Sequence, residues 1–304
     1  MQIIATVITY NRLALLKECI DALRKQDHPL FKILVINNSS TDGTLEWLQS
    51  QPDILFFTFP NTGGAAGFSN GIKKSIENGA DWVWLMDDDS IPQPEALRRL
   101  VDAIHFSEQQ GDHFGYFGSK VLWTNGTPHP LNIQGKVMSF TPQKIPLQQY
   151  LDKNIIPIKY SSFVSLLLSK EMIEKNGLPY SEFFIWNDDV EYTQRIGRNN
   201  MGALVDDSIV IHKTAVNYNT DIFADSVNNL WKHKYGLRNS LFVRKKYKSH
   251  GSYVRHIFKR IFAMPISILL KRKDHRWLFI KTVWQSSFRA IFFNPKIEYL
   301  DKKK

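Results

Sequence analysis

The chain has 304 residues, of which 43% are hydrophobic and 22% charged, with a formal net charge of +10. That composition supports a large buried core, and with a single cysteine, Cys19, it excludes disorder, collagen and a disulfide scaffold. The charge is uneven: from Trp231 onward there are 20 Lys and Arg against 3 Asp and Glu, so an acidic body carries a basic tail.

Ile3 to Thr9 reads as a first core strand, without the basic n-region and apolar h-region of a signal peptide. Asn11 and Arg12 then lead into a helix in which Leu13, Leu16, Ile20 and Leu23 recur at helical spacing, with Cys19 on the same stripe. A buried thiol of this kind fits a reducing compartment. Ile33 to Ile36 predicts a second strand, followed by the turn cluster NNSSTDGT and a helix through Trp47. Ile54 to Phe59 gives a third strand, then the glycine-rich NTGGAAGFSNG and a helix to about Glu77. Trp82 to Met86 is a fourth, running straight into Asp87, Asp88 and Asp89. Strands alternating with helices predict an α/β fold with a mostly parallel sheet, whose ligand site lies beyond the carboxyl ends of the strands.

From Phe114 to about Phe184 the pattern becomes more β-rich, with GYFGSKVLW, NIQGKVMSF and YSSFVSLLLSK as expected strands. Helical spacing returns after Asp188 and again from about Asp221 to Lys246. The tail, as in SYVRHIFKRIFAMPISILLKRK, mixes basic residues with apolar blocks and reads as amphipathic helix for an anionic membrane face, in preference to nucleic acid. No apolar stretch reaches the roughly 20 residues of a spanning helix.

Three adjacent carboxylates at a strand end repel one another unless something positive sits among them. Mg²⁺ or Mn²⁺, held by carboxylates together with substrate phosphates, fits Asp87, Asp88 and Asp89; a solvated acidic turn before the next helix is the alternative. A second cluster, Asp188, Asp189 and Glu191 in FFIWNDDVEYTQRIGR, reads either as an ordinary acidic helix start or as a general base in a pocket of Phe183, Phe184 and Trp186. Asp188 would cap that helix. His212, ending the strand-like SIVIH, is either a structural histidine or a third metal ligand. The glycine run lets backbone approach a ligand closely, and the helix after it offers N–H groups to a phosphate; a tight turn is the plain alternative. Its pattern matches neither a dinucleotide fingerprint nor a P-loop.

Taken in order, VITYNR (Val7 to Arg12), NNSSTDGT (Asn37 to Thr44), NTGGAAGFSNG (Asn61 to Gly71), MDDDS (Met86 to Ser90), WNDDVEY (Trp186 to Tyr192) and IHK (Ile211 to Lys213) resemble the family-2 inverting glycosyltransferases of GT-A fold. The form of the glycine run, the triple aspartate and the tryptophan–acidic motif is similar to that of galactofuranosyltransferases and rhamnosyltransferases. KYGLRNSLFVRKKY (Lys234 to Tyr247) is similar to the YxxRN segment of that group.

The resemblance implies a nucleotide-sugar site of Thr9, Tyr10, Arg12, Asn38, Gly64, Gly67, Asn70, Asp87, Asp88 and Trp186. It implies Mn²⁺ or Mg²⁺ on Asp89, Asp87 and His212, and Asp189 as base with Asp188 beside it; Asn187 stands where many relatives have the first acid. The implied donor is UDP-galactofuranose, with dTDP-rhamnose as the alternative, and the acceptor a glycan on a lipid carrier. Residues 1–220 would form the catalytic domain and 221–304 a basic helical region, on a cytoplasmic protein peripheral to the inner membrane face. A non-catalytic scaffold and a nucleotidyltransferase are the rivals from other classes.

Overall fold

A computed structural model describes residues 1–132, 134–135, 147–217 and 221–300. Among the described residues nine strands form one sheet in the order β3-β2-β1-β4-β8-β6-β9-β5, with β7 also paired to β9. The strands are β1 Ile3–Thr9, β2 Lys32–Asn37, β3 Ile54–Thr58, β4 Trp82–Asp87, β5 Ser90–Pro92, β6 Tyr116–Leu122, β7 Ile155–Ile158, β8 Leu166–Ser169 and β9 Gly202–His212. β3, β2, β1 and β4 run parallel; β8 is antiparallel to β4 and β6, and β6 is again parallel to β9.

Every residue of β1 is buried, as befits an inner parallel strand covered on both faces. Its odd residues Ile3, Ala5 and Val7 pack under α1 (Leu13–Arg24), α2 (Thr44–Gln49) and α4 (Ala96–Gln109). Its even residues Ile4 and Ile8 pack under α3 (Gly64–Glu77) and the neighbouring α6 (Lys170–Asn176) and α7 (Asp188–Gly197). The period of two thus sets two helix layers on one sheet. α5 (Leu147–Leu151) completes the first layer near β7. Four helices follow: α8 (Leu230–Tyr247), α9 (His250–Phe258), α10 (Met264–Lys271), joined to α9 by a π-helical turn at Lys259–Ala263, and α11 (Arg276–Phe292). Ile222, Ile268, Phe279, Ile280 and Val283 give them a core of their own.

Two expectations need correction. The glycine run is not an extended loop: α3 starts at Gly64, so most of the run is helical. A Cβ on Gly67 would lie 2.5 Å from Ile8 and one on Gly71 2.7 Å from Thr6, so these glycines let helix meet sheet. Of YSSFVSLLLSK only Leu166–Ser169 is strand, while β7 was not expected; most of NIQGKVMSF lies outside the described residues.

Candidate active site

β1 and β4 are neighbours, and the chain continues from them toward opposite edges of the sheet, to β2 from one and to β5 from the other, so that their carboxyl ends border one crevice. Thr9 and Arg12 come from one lip and Asp87 to Asp89 from the other. The Thr9 hydroxyl donates to Asp88 Oδ2 at 2.8 Å, and Arg12 Nη1 donates to Asp89 Oδ2 at 2.7 Å and to Asp88 Oδ1 at 3.3 Å. Asp88 is therefore buried and satisfied by protein groups. Tyr10 is exposed at the same lip, whereas Asn38 is buried with its amide 2.9 Å from where a Gly67 Cβ would stand. Gly67 faces the sheet and Asn70 sits within α3; of the expected glycines, Gly64 borders the cavity. The first N–H groups of α3 are not all open to a ligand, because Ala65 donates to the Phe184 carbonyl.

The β5–β9 pairing sets Ser90 opposite His212 and so brings the histidine beside Asp89. Asp87, Asp89 and His212 each offer a ligand atom, and these atoms lie within 4.8 Å of one another. His212 Nδ1 lies 2.8 Å from Asn132 Oδ1, and the Asn132 amide nitrogen donates to Ser162 Oγ at 2.8 Å. The amide oxygen thus accepts from Nδ1–H, which turns Nε2 toward the aspartates. Nε2 is 3.1 Å from Asp89 Oδ1, a buried oxygen with no hydrogen-bond partner among the described residues. Two acceptor atoms at that separation call for a proton or a cation between them. Two carboxylates and an oriented imidazole suit Mn²⁺, and Mg²⁺ less well.

A cavity of about 540 Å³ joins this cluster to the second acidic motif, its lining including Asp87 and His212 as well as Asp188 and Asp189. Its aromatic lining is Phe68, Phe163 and Trp186, which corrects the pocket expected from Phe183 and Phe184. Phe184, Trp186 and Asn187 all have positive φ, and the turns they make send Phe184 onto Tyr235 (centroids 4.6 Å apart) while Phe183 packs with Tyr180 and Phe242. Asn187, not Asp188, occupies the cap position of α7; Asp188 and Asp189 both lie in its first turn. The Asp189 carboxylate accepts from the Val190 N–H at 2.7 Å. Glu191 points the other way: fully buried, it takes Arg195, Lys246 and the Tyr247 hydroxyl, which ties α7 to the end of α8.

The carboxyl groups differ in acidity. Burial and the neighbouring Asp89 push Asp87 up to about 6, and burial pushes Asp88 up to about 7 against the pull of Arg12. Burial also acts on Asp89, but His212 and Arg12 outweigh it and hold this group below the usual range. Burial lifts Asp189 to about 6; burial and the adjacent Asp189 lift Asp188 well above the ordinary value. A proton competes with metal at Asp87 below its raised pKa, so Mn²⁺ binding should weaken by about tenfold or more between pH 7 and pH 5. Calorimetric titration at the two pH values checks this; equal affinities would remove Asp87 from the ligand set.

Several groups at the site were not singled out from the sequence. Asn239 of α8 is fully buried, and its amide nitrogen donates to the carbonyls of Phe183, Ile185 and Trp186 at 2.9, 3.1 and 2.9 Å. Arg238 donates to the Asn239 amide oxygen and to the Glu182 carbonyl. The RN pair of Lys234 to Tyr247 therefore latches the positive-φ segment that aims the second acidic motif. Asn239→Ala leaves three carbonyls without that donor. It should cost about 1–3 kcal/mol of stability and lower turnover more than donor binding, as denaturation and steady-state kinetics would show. Asn132 and the His233–Asp225 pair (2.8 Å), with His233 lining the cavity, lie outside the motifs, and their partners are 80 and 8 residues away, so local pattern does not mark them.

A mostly parallel α/β body that gathers a metal-suited Asp/Asp/His set and a pocketed carboxylate around one cavity has the GT-A fold. The sequence model described as Glycosyl transferase family 2 matches residues 5–173, and the chain belongs to that family. The galactofuranosyltransferase GlfT1 of Mycolicibacterium smegmatis is 26% identical over 204 residues, which cover 65% of this chain and 66% of the relative. Its counterpart in Mycobacterium tuberculosis is 27% identical over 212 residues, 66% of each chain. The match thus spans just under two thirds of these relatives' length. Among solved structures, GalNAc-T7 with UDP, GalNAc and Mn²⁺ aligns with a TM-score of 0.63 over 99% of this chain and 55% of that one, at 13% identity, a likeness of fold.

Proposed function

We propose that the chain is a metal-dependent inverting glycosyltransferase, moving galactofuranose from UDP-galactofuranose to a hydroxyl of a growing cell-surface glycan on a lipid carrier. The observation that carries this reading is the single cavity shared by Asp87, His212 and Asp189. Inversion needs one carboxylate to take the acceptor proton on the face of the sugar away from the departing diphosphate, and a separate positive centre at the diphosphate. The sheet end supplies the second place and the first turn of α7 the first. When bound, Mn²⁺ or Mg²⁺ on Asp87, Asp89 and His212 supplies charge to the leaving diphosphate. Asp189, in the first turn of α7, takes the acceptor proton, and its raised pKa of about 6 brings its basicity nearer neutrality. Burial and Asp189 raise the Asp188 carboxyl well above its usual range, which disfavours a second negative charge beside the base. Trp186, Phe68 and Phe163 keep the reacting sugar from bulk water.

The GlfT1 relatives support galactofuranose as the sugar. No helix among the described residues is long and apolar enough to cross a membrane, so attachment to a lipid surface would be peripheral. A panel of nucleotide sugars with membrane-extracted acceptor tests the reading. Release of UDP from UDP-galactofuranose, dependent on Mn²⁺ or Mg²⁺ and on acceptor, is expected. Release from dTDP-rhamnose alone would reassign the sugar, pyrophosphate release would mean nucleotidyl transfer, and silence with every donor would leave a scaffold.

A further inference from the structure

We propose that α9, α10 and α11 present a docking platform for an anionic lipid bilayer, rigidly joined to the wall of the cavity. Each of α10 and α11 is apolar on two sides, and the protein covers only one of them. Ile268, Phe279, Ile280 and Val283 face inward against Ile222. On the other side Leu270 is 79% exposed, Phe292 72%, Trp277 68% and Phe288 65%. Phe258, Phe262, Ile266 and Leu269 continue the stripe at helical spacing through the π-helical turn, with the rings of Phe258 and Phe262 stacked 5.8 Å apart. The Trp284 indole N–H donates to the Ile261 carbonyl at 3.0 Å and links the two halves of the face. Scattered exposed apolar residues need no partner, but a continuous patch of this kind does.

Charge selects the partner. Between Lys248 and Pro295 the sequence holds one acidic residue, Asp274, which is engaged by Arg272. Lys259, Lys271, Lys273, Arg276, Lys281 and Arg289 are exposed around the apolar stripe. A second copy of the chain would set these cations against their like, whereas anionic headgroups neutralise them while tryptophan and phenylalanine enter the interfacial layer.

The platform is wired to the cavity. Arg260 of the π-helical turn is buried and donates to the Leu237 carbonyl and, at 2.7 Å, to Ser240 Oγ. Leu237 and Ser240 line the cavity. The lipid surface therefore holds the cavity wall at a fixed place relative to the bilayer, where a glycan on a lipid carrier is presented; this last step rests on the acceptor class proposed above.

Full-length protein mixed with phosphatidylglycerol–phosphatidylcholine vesicles should co-sediment and shift its tryptophan emission to the blue, with little binding to phosphatidylcholine alone. The triple variant Phe262→Glu, Trp277→Glu, Phe288→Glu should lose at least about tenfold in vesicle affinity. It should keep the Mn²⁺-dependent thermal stabilisation by UDP, which shows that it is folded and reads the donor site separately. Vesicle binding unchanged in the triple variant, or absent in the wild type, would overturn the proposal. So would a wild-type dimer that the variant makes monomeric, since the face would then be an interface between copies. A platform that binds vesicles beside a silent donor site would leave this inference standing and remove the enzymatic one.

Discussion

Asp189→Asn is expected to lower turnover by about 10²- to 10⁴-fold, the usual range for losing a positioned general base, with UDP affinity changed by less than about threefold. The carboxylate lines the same cavity as Asp87 and His212, and no salt bridge among the described residues involves it. Its amide replacement keeps the size and the contact with the Val190 N–H but cannot accept a proton at neutral pH. The pH profile should move with it. Asp189 has a folded pKa raised to about 6, so with Mn²⁺ kept saturating across the range the wild-type rate falls as pH drops through about 6, and the variant's residual rate loses that acid limb; below saturation the loss of metal at Asp87 adds a limb of its own in both proteins. Asp188→Asn is the control: if it is the more damaging change and abolishes the limb, the base is Asp188.

Asp89→Ala is expected to abolish Mn²⁺-dependent donor binding as well as turnover. Asp89 faces His212 on one oxygen and Arg12 on the other, so its removal takes the facing oxygen from His212 Nε2 and leaves Arg12 only its longer contact with Asp88. A bound divalent ion contributes several kcal/mol to the stabilisation of a departing oxyanion, and its loss should cost about 10³-fold or more in kcat/KM. Unlike Asp189→Asn, this variant should show no UDP-induced rise in Tm with Mn²⁺ present. A full Tm response in Asp89→Ala would place the cation elsewhere.

Much of the N-terminal half was legible in the sequence because inner parallel strands bury both faces, and Ile3 to Thr9 or Trp82 to Met86 then read as largely apolar runs with polar ends. The same feature exposed the site, since those ends meet at one edge of the sheet. Composition misled at Gly64 to Gly71: glycines suggest a loop, yet here they thin a helix so that it can lie on Thr6 and Ile8. The lining of the cavity was partly misassigned because side-chain direction after Phe183 depends on positive φ at Phe184, Trp186 and Asn187, which residue type does not announce. The conformation is held by Asn239, more than 50 residues downstream, and only the folded chain brings the two together. Short antiparallel strands such as β7 owe their state to pairing with β9 rather than to local pattern. In the tail the basic and apolar blocks were plain, but which apolar residues face the core and which face outward required the packing of α11 on α8.

On the proposed function, the Asp87–Asp89–His212 set and the cavity it borders bind a nucleoside diphosphate through a divalent cation. Titration of UDP into the full-length chain by calorimetry, with Mn²⁺ and then with EDTA, tests it most directly. One UDP bound per chain with Mn²⁺, and none with EDTA or in Asp89→Ala, is the predicted result. Equal UDP binding with and without the metal would contradict it.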